Sequence, residues 1–345
     1  MTRPQSAPPV PQPVLSPPTD TAIFLVVTVN PGGEQAVRGL LPDLAGLQRS
    51  VCSRMPAAAL TCATGIGSAA WDRLFSGQRP AGLHPFLELA GAKYNAIATP
   101  GDLLFHIKAR RMDLCFEMTA QIMNRLSGAV TVDDEVHGFR SFDERDLLGF
   151  VGGAENPCGQ AAAAAVLVGD EDPQFTGGSY VVAQKCLHDM RAWNALPAGE
   201  QEKVIGRTKL ANIALPGDAR PANAHVALTT IAGSDGVQQQ ILRDKMPFGS
   251  AGRGEFGTYF VGYAATPSVT EQMLVNMFIG HPPGNYDRIL DFSAAVTGGL
   301  FFVPSADFLV SLPGPPAQSA AVHEPGLAMS EHLPAAQPMP RAPVA

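Results

Sequence analysis

The segment Ile23–Val29 (IFLVVTV) is the clearest β-strand of the sequence, and the residues after it decide the class of fold. The strand ends at Asn30–Gly33 (NPGG), a combination that is typical of a turn. Residues 34–51 then show helical spacing of apolar side chains, interrupted by Pro42. A strand followed by a turn and a helix predicts a domain in which both kinds of element pack together.

The same succession of elements recurs along the chain. Leu103–Ile107 is predicted to be a second buried strand, and Met112–Leu126 to be a helix. In the C-terminal half, Gly257–Tyr263 is predicted to be a strand. Thr266–Glu271 (TPSVTE) then combines an N-cap residue, an early proline and a capping box, which predict a helix through Met277. We therefore predict an α+β fold made of two units that pack against each other.

Both ends of the chain differ in composition from its middle. The first twenty residues contain seven prolines, and residues 313–345 are rich in proline and alanine and lack aromatic residues. Such segments bury too little apolar surface to offset the entropy lost on ordering. We therefore predict disorder in residues 1–19 and 313–345. The folded part is then residues 20–312, with halves of about 20–150 and 151–312.

The overall composition excludes several classes of protein. The chain has 345 residues, of which 46% are hydrophobic and 16% charged, and its formal net charge is -7. A mildly acidic chain does not favour binding to nucleic acid or anionic lipid. Apolar runs such as Ala22–Val27 are too short to span a bilayer. With no export signal at the N-terminus, we expect a cytoplasmic protein.

The five cysteines do not form a recognisable binding motif. Their odd number argues against a disulfide framework, and the lack of any C-x-x-C spacing argues against a thiolate metal site. We predict reduced thiols at all five positions, which are Cys52, Cys62, Cys115, Cys158 and Cys186.

One of the eight histidines stands apart by its context. His225 follows a loop-like segment, residues 209–222, and begins an apolar run, Val226–Leu228. A neutral imidazole at the edge of a dry pocket can ligate the iron of a haem. From this context alone, a hydrogen-bonded structural histidine remains the alternative.

Five motifs, in order along residues 20–312, resemble those of the dye-decolorising peroxidases, and among them the B-type bacterial group. The resemblance implies two ferredoxin-like α+β units, with antiparallel sheets and helices, packed together with haem in the C-terminal half. The motifs are Pro100–His106 (PGDLLFH), Leu148–Pro157 (LGFVGGAENP), Val204–Lys209 with Ala222–Ala227 (VIGRTK and ANAHVA), Ile241–Gly249 (ILRDKMPFG), and Asp287–Phe292 with Thr297 and Gly298.

The resemblance also implies roles for single residues. His225 would ligate the iron of haem b, and Arg243 would stabilise the charge that develops as the O–O bond of peroxide breaks. A carboxylate that keeps the ligating imidazole electron-rich is predicted at Asp287, with Asp291 as the alternative. Two further cofactor contacts are predicted, Arg207 beside the haem propionates and Phe260.

Three positions depart from the motifs of the family. Gly152 stands at the position of the distal aspartate, Ala154 at that of a threonine, and Lys245 at a position that is often asparagine. Glycine cannot accept a proton from peroxide, and the loss of a general base costs about 10²–10⁴ in rate. We therefore predict slow peroxide chemistry that depends on Arg243, with Lys245 or an ordered water in partial compensation. A carboxylate introduced at position 152 should then speed the reaction.

The sequence thus predicts a haem peroxidase that reduces hydrogen peroxide and oxidises small aromatic, dye-like reductants. Tyr180, Trp193 and Tyr259 are candidate electron relays, with packing as the alternative role. A second hypothesis, favoured by Gly152, is a haem carrier or sensor with degenerate activity. We expect a homo-oligomer with no nucleic-acid or membrane partner. An encapsulating shell protein is a further partner to consider, although the tail holds only Gly326–Met329 (GLAM) in place of a clear targeting motif.

Overall fold

A computed structural model describes residues 8–153 and 155–317, and within these ranges it contains fourteen strands and ten α-helices. The strands are β1 (Thr21–Val29), β2 (Thr61–Gly67), β3 (Leu89–Ala90), β4 (Asn95–Ala96), β5 (Leu103–Ala109), β6 (Val130–Phe139), β7 (Ser179–His188), β8 (Ile231–Ala232), β9 (Gln238–Gln239), β10 (Leu242–Arg243), β11 (Met246–Ser250), β12 (Glu255–Ala264), β13 (Ser293–Ala295) and β14 (Gly299–Val303). The helices are α1 (Glu34–Leu40), α2 (Leu44–Cys52), α3 (Ser68–Leu74), α4 (Met112–Arg125), α5 (Gly159–Val166), α6 (Met190–Ala195), α7 (Ala198–Ile205), α8 (His225–Thr229), α9 (Pro267–Phe278) and α10 (Ala306–Val310).

Each half of the chain forms a ferredoxin-like unit with four main strands, and the two units share one strand order. In the first unit the order across the sheet is β2-β5-β1-β6, and in the second it is β10-β12-β7-β14. Strand β11 also pairs with β12, and β13 with β7. In both units helices occupy the connections between the strands. The predicted fold class, α+β with two ferredoxin-like units, is confirmed.

The two sheets join edge to edge, and the joined sheet curls. Strand β14 pairs with β2 through Phe301 opposite Gly67. At the far end β6 lies against β11, where a side chain on Gly138 would collide with that of Met246. The curl brings β1 and β12 face to face, so that the rings of Phe24 and Tyr259 stack with centroids 4.3 Å apart. An apolar core therefore fills the inside of the curl.

The elements with the clearest sequence patterns are found at the predicted positions. The strand predicted at Ile23–Val29 is β1, and the helix predicted after it is divided near Pro42 into α1 and α2. A short 3-10 turn, Leu41–Asp43, separates the two helices because proline cannot donate the N–H that a continuous helix needs. Helix α9 begins after Thr266, whose hydroxyl accepts a hydrogen bond from the amide of Ser268. The predicted N-cap is therefore confirmed.

The N-terminal segment packs more closely than its composition suggests. Gln12 and Val14 are only 5% and 2% exposed. Nε2 of Gln12 donates to the carbonyl oxygens of Thr64 and Pro304, and its Oε1 accepts from the amide of Thr64. The predicted disorder is therefore wrong around Gln12 and Val14. A proline-rich chain has little conformational freedom to lose, so a few buried contacts suffice to anchor it.

The C-terminal end of the described chain also contacts the body. The carbonyl of Pro313 accepts a hydrogen bond from Arg38, and that of Gly314 accepts one from the amide of Ser76. The predicted disorder of the tail is therefore not seen at these two residues. The rest of the predicted tail, from residue 318 onward, lies outside the described residues, as do residues 1–7.

All five cysteines lie in the described part of the chain, and each is a free thiol. Cys62 and Cys115 are buried, whereas Cys158 is exposed. Among residues 8–153 and 155–317, no helix combines the length and the apolar character that crossing a membrane requires.

Gln12→Ala should lower the free energy of unfolding by about 1–3 kcal/mol, because it leaves buried backbone groups without their hydrogen-bond partners. Urea denaturation followed by circular dichroism measures the change. Val10→Ala is the matched control, since the side chain of Val10 is 58% exposed, and it should change stability by less than about 0.5 kcal/mol. Equal stability of the two variants would show that this segment does not anchor the fold.

Candidate functional site

A large cavity lies on the outer face of the second unit, between strands β7 and β12 and helices α8 and α9. Its empty space, including the part open to solvent, is about 1350 Å³. The segment from Asp146 to Glu155 and the segment from Ile241 to Lys245 complete its wall. All residues that line it belong to the second unit or to the connection that leads into it.

Alternation along β7 and β12 supplies one wall of this cavity. Thr258 and Phe260 of β12 line it, whereas Tyr259 between them packs in the interior core and is 1% exposed. On β7, Gln184 lines the cavity opposite Phe260. Nε2 of Gln184 is buried there and has no hydrogen-bond acceptor among the described residues. Buried donors without a partner are rare in folded proteins, so this wall has a polar group available to an occupant.

His225, the first residue of α8, lines the cavity and is oriented by a buried carboxylate. Its Nδ1 lies 2.7 Å from Oδ2 of Asp287, which is 0% exposed. Oδ1 of Asp287 accepts a hydrogen bond from the amide of Ile289 at 3.0 Å. An ionised carboxylate only accepts, so this contact places the proton on Nδ1 and leaves the lone pair of Nε2 free. Metal-ligating histidines are commonly oriented in this way.

The alternative carboxylate, Asp291, belongs to a different cluster. Its Oδ1 accepts hydrogen bonds from Lys93, Tyr94 and Tyr286 at 2.6, 2.8 and 3.1 Å. Burial alone would raise the pKa of Asp291, but these hydrogen bonds outweigh it and hold the pKa below its usual value. Of the two aspartates that the sequence proposed, Asp287 is therefore the partner of His225.

Arg243 on β10 brings to the cavity a cation that forms no ion pair with any residue that the structure describes. Its Nη2 lies 3.5 Å from Sδ of Met273, and the carboxylate that acts on it, Glu155, is already paired with Arg207. Its backbone is held by Asn156, which accepts from the amide of Arg243 at 2.9 Å and donates to its carbonyl at 2.7 Å. Burial lowers the pKa of the Arg243 guanidinium. A fixed, unmatched guanidinium suits an anion or a developing negative charge.

Lys245 turns into the cavity wall rather than into solvent. Its Nζ forms an ion pair with Oδ2 of Asp146 at 2.8 Å, and the two side chains are 27% and 9% exposed. Both residues line the cavity. A Cβ on Gly152 would lie 2.9 Å from Cε of this lysine. The cavity thus contains the carboxylate of Asp146 even though position 152 is glycine. The sequence analysis did not predict this carboxylate.

Arg207 also lines the cavity, and protein groups already engage its guanidinium. Nη1 donates to Glu155 at 2.7 Å, while Nε and Nη2 donate to the side-chain and backbone oxygens of Asn212 at 2.9 and 2.6 Å. A bound carboxylate would have to share or displace Glu155. The predicted contact of Arg207 with haem propionates therefore stays a prediction.

Both halves of the chain match one protein family. Residues 11–140 match the N-terminal part of the Dyp-type peroxidases, and residues 143–308 match the C-terminal part. The chain belongs to this family. The two matches meet between residues 140 and 143, before the predicted boundary at residues 150 and 151. Asp146 therefore belongs to the second unit.

Named relatives and solved structures agree with this assignment. The chain is 63% identical to a dye-decolorizing peroxidase from Rhodococcus erythropolis, over 90% of this chain and 91% of the relative. It is similar to the encapsulated DyP-type peroxidase from Mycobacterium smegmatis, with 59% identity and a TM-score of 0.88, over 89% of this chain and 100% of the other. An arginine-to-leucine variant of DypB from Rhodococcus jostii, solved in complex with heme, shares 55% identity with a TM-score of 0.87, over 89% and 100% of the two chains.

The cavity of this Dyp-type peroxidase brings most of the predicted residues together. Gly152 stands between Val151 and Gly153, which line the cavity, and Ala154 lies outside the described residues. The predicted residues that line it are Arg207, His225, Arg243, Lys245 and Phe260. The cavity is also lined by polar residues that the sequence analysis did not assign to the site, among them Asp146, Gln184 and His188. Asp146 ends a charged run, DERD, that resembles a solvated turn, so no local signal distinguished it.

The three candidate electron relays are buried. Tyr180, Trp193 and Tyr259 are 4%, 0% and 1% exposed. Nε1 of Trp193 donates to the carbonyl of Leu148, and the hydroxyl of Tyr180 accepts from the amide of Gly82. These contacts support the alternative role in packing for Tyr180 and Trp193.

His188→Asn should make the protein less sensitive to acid. Burial lowers the pKa of His188 from 6.5 to about 4. Between these two pH values the unfolded chain binds a proton at His188 and the folded chain does not. Stability is therefore lost as pH falls from the unfolded pKa towards the folded one, by up to about 3 kcal/mol for this group. Urea denaturation at neutral pH and just above the folded pKa should show a smaller loss in the variant. The exposed His137→Asn is the control, and equal losses in all three proteins would contradict the prediction.

Proposed function

We propose that this Dyp-type peroxidase binds haem b through His225, reduces hydrogen peroxide and oxidises small aromatic reductants by one-electron steps. The observation that carries the proposal is the contact of His225 with the fully buried Asp287, in a cavity that also holds the unmatched cation of Arg243. Membership of the family supports the proposal, as does the relative that was solved in complex with heme.

The cavity suits a flat, largely apolar prosthetic group. Its lining includes Phe150, Ile205, Phe260 and Met277, and apolar walls of this kind bury most of a bound cofactor. The unpartnered Nε2 of Gln184 adds a donor that an occupant can satisfy. Haem supplies an iron centre that reacts with peroxide and takes electrons one at a time.

His225 and Asp287 together form the proximal side of the proposed site. Asp287 holds the proton on Nδ1, which makes Nε2 the ligating nitrogen and increases its electron donation. The carboxylate cannot turn away easily, because the amide of Ile289 holds its other oxygen. The imidazole is therefore fixed in both tautomer and orientation.

Arg243 acts on the substrate side. Its guanidinium is always charged and presents donors in a rigid plane, so it can stabilise negative charge as the O–O bond breaks. Since Arg243 forms no ion pair within the part of the chain that the structure describes, its positive charge stays available to peroxide. Phe260 forms part of the apolar wall, and Arg207 is the candidate partner of a haem propionate.

A haem carrier or sensor with degenerate activity is not favoured. Gly152 was the residue that suggested it, since glycine provides no proton acceptor. Asp146 brings a carboxylate to the same cavity from another position. Together with the dye-decolorizing peroxidase relatives, this supports an active peroxidase.

We expect peroxide and aromatic molecules to be the partners of the site, and neither nucleic acid nor membrane. The encapsulated relative from Mycobacterium smegmatis supports a shell protein as a macromolecular partner, in a cytoplasmic compartment. A homo-oligomer remains our expectation for the free protein.

His225→Ala should abolish the Soret band of histidine-ligated haem after reconstitution, because no other imidazole is oriented by Asp287. Absorption spectra of the haem-loaded protein measure this, and circular dichroism confirms that the variant folds. His137→Ala, at a side chain that is 41% exposed, should keep the parent spectrum. Unchanged haem loading and ligation in His225→Ala would contradict the proposed function.

Arg243→Leu should lower the rate constant of the reaction with hydrogen peroxide by about 10²–10³, the usual cost of removing a fixed charge-stabilising donor. Stopped-flow spectroscopy measures this on protein of equal haem content. Arg253→Leu, at an exposed position outside the cavity, should react as fast as the parent. If Arg243→Leu does so too, the arginine is not the group that drives the reaction.

A further inference from the structure

At position 152, a neighbouring side chain rather than the backbone conformation limits which residue fits. Its φ lies outside the left-handed region, so its backbone is open to other residues. A Cβ at this position would approach Cε of Lys245 to 2.9 Å. Cε would have to shift to make room, and Cε carries the Nζ that is bonded to Asp146. A side chain at position 152 would therefore disturb the end of Lys245 that pairs with Asp146.

The carboxylate of the ion pair is held in place by a second contact. Oδ1 of Asp146 accepts a hydrogen bond from the amide of Phe150 at 3.0 Å, while Oδ2 accepts from Lys245. Lys245 lies two residues after Arg243, in the link between β10 and β11. Both charged groups line the same cavity as Arg243. The cavity wall thus contains a carboxylate and an ammonium group at fixed positions.

Lys245 and the amide of Phe150 determine the protonation state of Asp146. Burial alone would raise its pKa, but the charge and hydrogen bond of Lys245 and the amide of Phe150 outweigh burial and lower the pKa. The group is therefore an ionised carboxylate at neutral pH, which is the form that accepts protons. The adjacent ammonium group can stabilise an anion that has just lost its proton.

We propose that the Asp146–Lys245 pair is the acid–base group of this cavity, and that Gly152 provides the space that the pair requires. The proposal rests on the proposed peroxidase function and adds two residues to it. One proton moves from hydrogen peroxide to Asp146, which becomes a neutral carboxyl group. The hydroperoxide anion that remains is stabilised by the cations of Arg243 and Lys245. The haem, when bound, would supply the two electrons that cleavage of the O–O bond requires, and Asp146 would return its proton to the oxygen that leaves as water.

The first test measures whether positions 152 and 245 are coupled, and it uses the protein without haem. Gly152→Ala should raise the unfolding equilibrium constant about threefold or more, because Cε of Lys245 has to shift and the bond of its Nζ to Asp146 is weakened. In a Lys245→Ala background the same change should alter the constant less than about twofold, since the obstructing side chain is gone. Urea denaturation of the four proteins gives the comparison. Equal effects in both backgrounds would overturn the claim that Gly152 provides space for the pair.

The second test measures proton acceptance without peroxide turnover. Hydrogen cyanide must lose its proton when it binds a ferric haem, so a base in the cavity speeds its association. Asp146→Asn should lower the association rate constant about 10²-fold or more. Association of carbon monoxide with the ferrous protein, which involves no proton, should change less than about twofold. Asp143→Asn is the matched control, because this neighbouring aspartate is 62% exposed and pairs with Arg145.

Two outcomes would overturn the acid–base role. Cyanide association could be as fast in Asp146→Asn as in the parent, or carbon monoxide association could slow to the same extent. Haem ligation is judged separately by His225→Ala, so failure of the proposed function is distinguishable from failure of this proposal.

Discussion

The register between strands β7 and β12 is the constraint on which both the core and the site depend. Side chains alternate between the two faces of this strand pair. Tyr259, Val261 and Tyr263 pack inside the curled sheet, whereas Thr258 and Phe260 form the wall of the cavity. A shift by one residue would exchange these two sets and place tyrosines in the cavity. Antiparallel pairing along most of β12 prevents such a shift, and it also positions β10, which carries Arg243.

Among the described residues, the charged groups of the cavity form pairs except for one cation, Arg243. His225 contacts Asp287, Lys245 pairs with Asp146, and Arg207 pairs with Glu155. Burial of an isolated charge is costly, and these pairs remove most of that cost. Arg243 has no ion-pair partner among residues 8–153 and 155–317, and its backbone is held by Asn156 on the motif segment. The proposed role of Arg243 in stabilising an anionic substrate gives a functional reason for a charge kept at this cost.

Local patterns were sufficient for the elements whose signal lies within a few residues. The strand at Ile23–Val29 and the N-cap at Thr266 follow from propensity and hydrogen bonding between neighbours, and the structure contains both. The pattern failed at Gln12, whose contacts with Thr64 and Pro304 lie far along the chain. Composition described this segment correctly as proline-rich, but it carried no information about which distant groups would pair with it.

The motifs in the sequence determined the family, the two-unit fold and the position of His225, because each depends on short segments whose residues recur in order. The resemblance favoured Asp287 and kept Asp291 as the alternative partner of His225. The tertiary structure decided between them, since both aspartates lie within one motif and differ in the groups that surround them. The tertiary structure also showed that Asp146 brings a carboxylate to the cavity. Gly152 alone indicated a loss, whereas the fold brings Asp146 and Lys245 together from positions 99 residues apart. Contacts of that separation are fixed by how strands and connections pack, and no local pattern contains them.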